Sequence, residues 1–348
     1  MFTVRPAGAK GFGVFAVNHI PRGTRILAER PLLSVNDASP DILAAAQALA
    51  PQDRQSLLLL STNSRKFSSP WSLVDAIWRS LLNWSSGGSR NPALHVIRGI
   101  PRSRTILGIF YNNNFALFDE QNTRALFPTV ARLNHSCTPN AQGNFNRNLG
   151  CFTVHAVHDI VRGAEITISY LHNQNTMRAA RQKRLRDNYG FDCDCLICDG
   201  KSLVGEQSQG RRARLKDALA IHAEAEEKHT PSGSEDQAIE FYKRKLELTL
   251  LLIETYEQDG LAGRELASLY AAAANLTATL GNHSQAVILG ARGLGLEKDA
   301  VGEDSPFYER RCLEFENLKL RGGNVPKLRS SLTPSPDTDS DLSYPPWV

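Results

Sequence analysis

Cysteine is used sparingly in this chain, six times in 348 residues, and four of the six stand in two short stretches. "RLNHSCTPN", residues 132–140, holds Cys137, and "YGFDCDCLICD", residues 189–199, holds Cys193, Cys195 and Cys198. A C-x-C-x-x-C run set among Asp and Gly is poor core sequence, but it makes a tight loop whose sulfurs converge on one ion. Zinc takes four ligands in a tetrahedron. Cys137, in an irregular polar stretch, is the best candidate for the fourth. Cys151 opens a β-like run and Cys312 lies in a helical one, so both read as core thiols. Four thiolates make a closed and therefore structural site, one that clamps a loop to a distant part of the chain.

The zinc reading needs reduced thiols. "MFTVRPAGAKGFGVF" has no basic region followed by an apolar run, so no secretory signal is expected. The longest apolar stretches, such as "LTLLLI" at 248–253, are too short to span a bilayer. The expectation is a nuclear or cytoplasmic chain, in which such a cluster binds metal rather than forming disulfides. A net charge of +4 is too mild for wholesale nucleic-acid binding, which needs a concentrated basic face.

Residues 3–35 read as short strands with tight turns: "GFGVFAV", the turn "IPRG", then the alternating "TRILAERPLLSV". From 40 to 84 the apolar spacing becomes helical, and "SSGGSR" at 85–90 is a break. Strand-like segments return at 105–118 and 151–170. From 211 to about 320 the pattern is helical throughout, with five candidate helices and with Gly260 and Gly281 at C-cap positions. The Ala-rich pair around "GNHS" suggests a helical-hairpin repeat of tetratricopeptide type. The basic run "MRAARQKRLRDNYG", residues 177–190, reads as a solvated helix face. The Pro-, Ser- and Asp-rich residues 321–348 are expected to be disordered.

"KGFGVFA" lacks the third glycine and the βαβ context of a dinucleotide fingerprint. Taken in order, however, "GFGVFA", "IPRGTRI", "RLNHSCTPN", "GAEITISY" and "YGFDCDCLIC" resemble the SET domain of protein lysine methyltransferases. The last of these is similar to the zinc-binding post-SET segment. The spread of the motifs resembles the SET-and-MYND subfamily and its fungal relatives. Residues 36–100 contain no cysteine, so the subfamily's MYND zinc finger, which needs about seven cysteines and a histidine at that place, is absent.

The resemblance implies an α+β chain. A β-rich SET fold with its post-SET segment would cover 1–200, with a helical insertion at about 36–105. An all-α, tetratricopeptide-like domain would follow at 211–320. S-adenosylmethionine is the implied cofactor, beside a structural zinc. By the same resemblance Lys10, Gly11, Phe12 and Gly13 offer main-chain groups to its methionine part, and Asn134 and His135 hold its two ends. Phe191 stacks on adenine, and Tyr170 is the catalytic hydroxyl. Tyr189, Ile168 and Phe115 line the substrate side. The implied partner is a protein presenting a lysine, histone or non-histone, met by a monomer with no direct role for nucleic acid or membrane. The other reading is an interaction protein, a SET scaffold that recruits partners through its helical domain.

Overall fold

The structure, a computed structural model, describes residues 1–36, 41–62, 105–117, 122–171, 176–227 and 235–321. The expected break at 85–90, most of the helical insertion and the tail from 322 lie outside the described residues. The strands are β1 (Phe2–Pro6), β2 (Phe12–Ala16), β3 (Arg25–Glu29), β4 (Leu33–Asn36), β5 (Asn114–Ala116), β6 (Thr123–Leu126), β7 (Asn134–His135), β8 (Ala141–Asn146), β9 (Cys151–Ala156) and β10 (Glu165–Ile168). The helices are α1 (Ile42–Ala48), α2 (Pro51–Leu58), α3 (Arg178–Tyr189), α4 (Leu203–Glu227), α5 (Glu235–Gln258), α6 (Arg264–Thr279), α7 (His283–Val301) and α8 (Pro306–Arg321). They divide between two compact units. Among the described residues, one comprises Met1–Ala28, Asn134–Gln182 and 193–321, the other Glu29–Leu133 with Lys183–Asp192.

In the first unit, β1 and β2 form a hairpin in which Phe2 faces Ala16 and Pro6 faces Phe12. Gly11 closes its turn with φ +80°, a left-handed conformation that glycine enters without steric cost. The sheet runs β1-β2-β10-β7, and a second runs β3-β9-β8. β9 lies between its neighbours, and "CFTVHA" is buried over all but its first residue. That is the continuous burial expected of a strand covered on both faces.

The helical layer belongs to the same unit. α7 packs on both α6 and α8 and reaches β8 and β9. Val157 meets Ala300 and Val301 there, and Asn144 Nδ2 donates to the Ala300 carbonyl at 3.2 Å. Ile253, Tyr256, Leu266, Tyr270 and Leu296 form the core between helices. α5 and α6 are followed by Gly260 and Gly281, with φ +68° and +87°. Asn282 caps α7 by accepting from the Gln285 amide at 3.2 Å, one of the side chains helix starts favour.

The second unit holds the sheet β4-β6-β5. Its core joins Leu33 and Val35 to Ile42, Leu43, Leu57, Ile109, Phe110 and Leu126. Asp41 caps α1 through the Ala44 amide at 2.9 Å. One expectation fails here. Residues 105–113 are helical, and only 114–116 form a strand. The β-branched and aromatic content of "TILGIFYNN" hid a helical period. Ile106, Ile109, Phe110 and Asn113 are all buried, an i, i+3, i+4, i+7 stripe. Asn113 Nδ2 closes that helix on the Ile109 carbonyl at 2.7 Å.

Candidate active site

β7 is only two residues long, yet it is held on several sides within the first unit. It pairs parallel to β10, with Thr167 opposite Asn134 and Ile168 opposite His135. The Ser136 amide extends the ladder to the Ile168 carbonyl at 3.0 Å. Asn140 pins the same strand: its Nδ2 donates to the Glu165 carbonyl at 2.8 Å, and its Oδ1 accepts from the Thr167 amide at 2.9 Å.

His135 is 5% exposed. Its Nδ1 accepts from the Tyr170 amide at 2.9 Å, so in the neutral ring Nε2 carries the proton. Nε2 lies 3.3 Å from Cys137 Sγ. Burial above all holds the ring's pKa down at about 4, so His135 is neutral at pH 7. The stretch after β10 that carries Tyr170 is therefore held by an imidazole, and the two rings stand 5.4 Å apart.

Asn134 turns the other way. Its Nδ2 donates to the Phe12 carbonyl at 3.1 Å and to Glu165 Oε1 at 2.6 Å. Gly13 leaves room for this pair: a Cβ there would stand 2.4 Å from Glu165 Oε1 and 3.0 Å from Asn134 Nδ2 and would displace them. Lys10 reaches Asp194 at 3.0 Å, an exposed pair of small energetic weight.

The sulfurs of Cys137, Cys193, Cys195 and Cys198 all lie within 4.8 Å of one another. Cys137 is 3.9 Å from Cys193 and 3.6 Å from Cys198. Metal–sulfur bonds of about 2.3 Å in a tetrahedron give edges of roughly 3.8 Å, so the spacing fits one ion. The thiols are free and compete for protons. Hydrogen bonds to Cys193, Cys195 and Cys198 push Cys137 up, while those from Cys137, Cys193 and Cys195, and then Arg181, pull Cys198 down. Gln182 anchors the loop twice, donating to the Cys193 carbonyl and accepting from its amide, each at 2.8 Å. Cys151 and Cys312 are half-buried, not the core thiols their surroundings suggested.

Phe115, Tyr189 and Phe191 belong to the second unit. There Phe115 meets Phe127 edge-on at 6.1 Å, and the Tyr189 and Phe191 rings stand 6.4 Å apart. Burial pushes the Tyr189 hydroxyl up to about 12, which keeps it protonated at neutral pH.

Glu165, Asn140 and Arg181 were not foreseen. A glutamate opening an alternating strand reads as solvated. Arg181 sits in the run read as a solvated face, yet is 1% exposed. Its spacing of four from Met177 and from buried Leu185 was the available signal.

A family model for the SET domain matches residues 11–171. Those residues are similar to a SET domain. β2, the β7–β10 pair and Tyr170 lie inside the matched stretch, and the C-x-C-x-x-C run lies beyond it. Histone-lysine N-methyltransferase set5 of Schizosaccharomyces pombe is 30% identical over 200 residues, 57% of this chain and 50% of that protein. N-lysine methyltransferase SMYD2-B of Danio rerio is 39% identical over 109 residues, 30% and 24% of the two chains. Protein-lysine N-trimethyltransferase SMYD5 of Mus musculus is 44% identical over 75 residues, 21% and 18% of the two chains. The chain spans half or less of the length of these curated relatives. No described helix is long and apolar enough to cross a membrane.

Proposed function

We propose that this chain is an S-adenosylmethionine-dependent protein-lysine N-methyltransferase acting on a protein, histone or non-histone, that presents a lysine. The observation that carries the reading is the β7–β10 pair inside the stretch similar to a SET domain, which fixes Asn134, His135 and Tyr170 relative to one another. The cofactor, when bound, supplies a methyl group on a cationic sulfur. The chain's task is then alignment, because no side chain has to act as nucleophile; alignment of this kind contributes up to about 7–11 kcal/mol in favourable cases.

Each residue has a part consistent with its contacts. Asn134 spends its amide nitrogen on two acceptors, so its oxygen is what it offers to an ammonium group such as that of the methionine part. The Lys10–Gly13 turn offers main-chain groups. Neutral His135 holds the Tyr170 amide, and the Tyr170 hydroxyl adds electrostatic complementarity near the reacting nitrogen. The substrate amine, with a pKa of about 10.4 in water, must arrive neutral; an apolar channel beside a cation lowers that value, and bulk water takes the proton. The roles given to Phe191 at the adenine, and to Tyr189, Ile168 and Phe115 at the substrate, rest on the family resemblance alone.

The four thiolates fit zinc by number, type and spacing, and a closed site of this kind is structural. α5 to α8 form a serial stack of helices joined by short turns, which supports a tetratricopeptide-like array.

The test is tritium transfer from labelled cofactor to native and denatured lysate, followed by mass spectrometry of the labelled lysines. Lysine labelling that is lost in Tyr170→Phe is the expected result. Tight cofactor binding with no transfer to any protein would favour the scaffold reading instead.

A further inference from the structure

Two arginines of the first unit are almost wholly buried, Arg181 and Arg212, each 1% exposed. Both donate to the same acceptor, the Thr176 carbonyl, Arg212 at 3.3 Å. Their other partners differ. Arg212 has a carboxylate: its Nη2 lies 2.8 Å from Asp259 Oδ2, with both side chains fully buried. Arg181 meets no carboxylate among the described residues. Its Nη2 donates to the Ile197 carbonyl at 3.4 Å and to Cys198 Sγ at 3.5 Å.

A buried guanidinium without an anion is among the costliest arrangements in a protein interior, and arginine does not escape it by losing its proton. Neutral thiols would leave that cost standing. Four thiolates around a divalent ion carry a net negative charge, and the cation then has its counterpart. Two further features suit the role. Arg181 reaches the sulfur from α3, within the anchored segment that also supplies Gln182 to Cys193. Its guanidinium is held by two carbonyls as well as by sulfur, so its charge is fixed in place.

We propose that Arg181 is the fixed counter-charge of the metal–thiolate centre, a positioning residue that stabilises the metal-bound sulfurs. The proposal rests on the zinc reading given above. It distinguishes Arg181 from the other cations of the same basic run, such as Arg184 and Arg186, which are exposed.

The test uses the full chain loaded with zinc, and separately with cobalt(II), as wild type, Arg181→Met and Arg181→Lys. Zinc release is followed with the chelating dye 4-(2-pyridylazo)resorcinol, and the cobalt form by its thiolate charge-transfer band. Loss of an outer partner of this kind typically costs 10–100-fold in metal affinity. Arg181→Met is therefore expected to release zinc about 10–100 times faster and to shift the cobalt band, with helix content unchanged. Arg181→Lys keeps the charge but not the guanidinium fork, and is expected to release zinc less than about tenfold faster than wild type. A folded Arg181→Met with wild-type release and an unmoved band overturns the proposal. Should the Met variant not fold, the Lys variant decides, since release more than about tenfold faster with the charge retained overturns it equally. Wild-type protein that takes up no metal overturns the zinc reading itself, a result separable from both.

Discussion

Gly13→Ala puts one methyl group into the most crowded part of the candidate site. The backbone tolerates it, because Gly13 lies in a paired strand opposite Arg5 and not at a positive φ. Space does not. The new Cβ would stand 2.4 Å from Glu165 Oε1, while ordinary contact begins at 3.4 Å, so the carboxylate must retreat by about 1 Å. A retreat of that size breaks the 2.6 Å bond from Asn134. A hydrogen bond to a charged group is worth about 1.5–3 kcal/mol, and 1.4 kcal/mol is a factor of ten. If Asn134 holds the cofactor, affinity should fall roughly 10- to 100-fold, with little loss of secondary structure. Calorimetric titration of S-adenosylmethionine measures this, with Asn134→Ala and the double variant completing a cycle. Because Gly13→Ala acts through Asn134, the double variant should bind no worse than Asn134→Ala alone. Wild-type affinity in Gly13→Ala, or strictly additive losses in the cycle, would refute the argument.

Cys195→Ser should abolish most zinc binding, which is expected at about one ion per chain, as read by metal analysis of folded protein. Tyr170→Phe should cut turnover about 10²-fold or more while leaving cofactor affinity near wild type, because it removes one hydroxyl of the candidate site and keeps the backbone amide that His135 holds. Ile168 has no hydroxyl with which to fix a water, so intact-mass analysis should find products beyond monomethyl-lysine; a wild-type reaction that stops at one methyl while Ile168→Ala proceeds further would reverse the inference. His155, buried and beside Arg25, has its pKa held down at about 4, first by burial and then by that cation. The unfolded chain therefore binds the proton first as pH falls through 6.5. The stability this supplies is complete above that value and shrinks towards pH 4, by roughly 2 kcal/mol between pH 7 and pH 5. Urea melts of His155→Gln should show a correspondingly shallower pH dependence, and equal slopes would exclude the assignment.

What could be read from the sequence was whatever is carried by local order. The C-x-C-x-x-C loop, the Asn-His pair and the 3.6-residue period of α5 to α8 each lie within a short window, and each is present in the fold. Residues 105–113 were misread because Ile and Phe favour strands on average, while here tertiary burial of one helical stripe decides. Glu165 and Asn140 were missed for another reason: their partners lie 25 or more residues away, and neither residue type announces a buried role. Arg181 was hidden by its neighbours, because a run rich in cations reads as solvated unless one position is known to face sulfur.

The strand order β1-β2-β10-β7 also sets a timetable. The hairpin of β1 and β2 is complete as soon as Ala16 has been synthesised, but the outer edge of β2 pairs with Glu165 and Ile166, about 150 residues later. At 5–20 residues per second that interval is roughly 8 to 30 s. Throughout it the edge of β2 is open and Val14, 2% exposed in the finished fold, faces solvent. Cys137 then waits for Cys198, some 60 residues further on. Until Glu165 and Ile166 arrive, the growing chain thus carries an open strand edge, the kind of surface on which a foreign strand can pair.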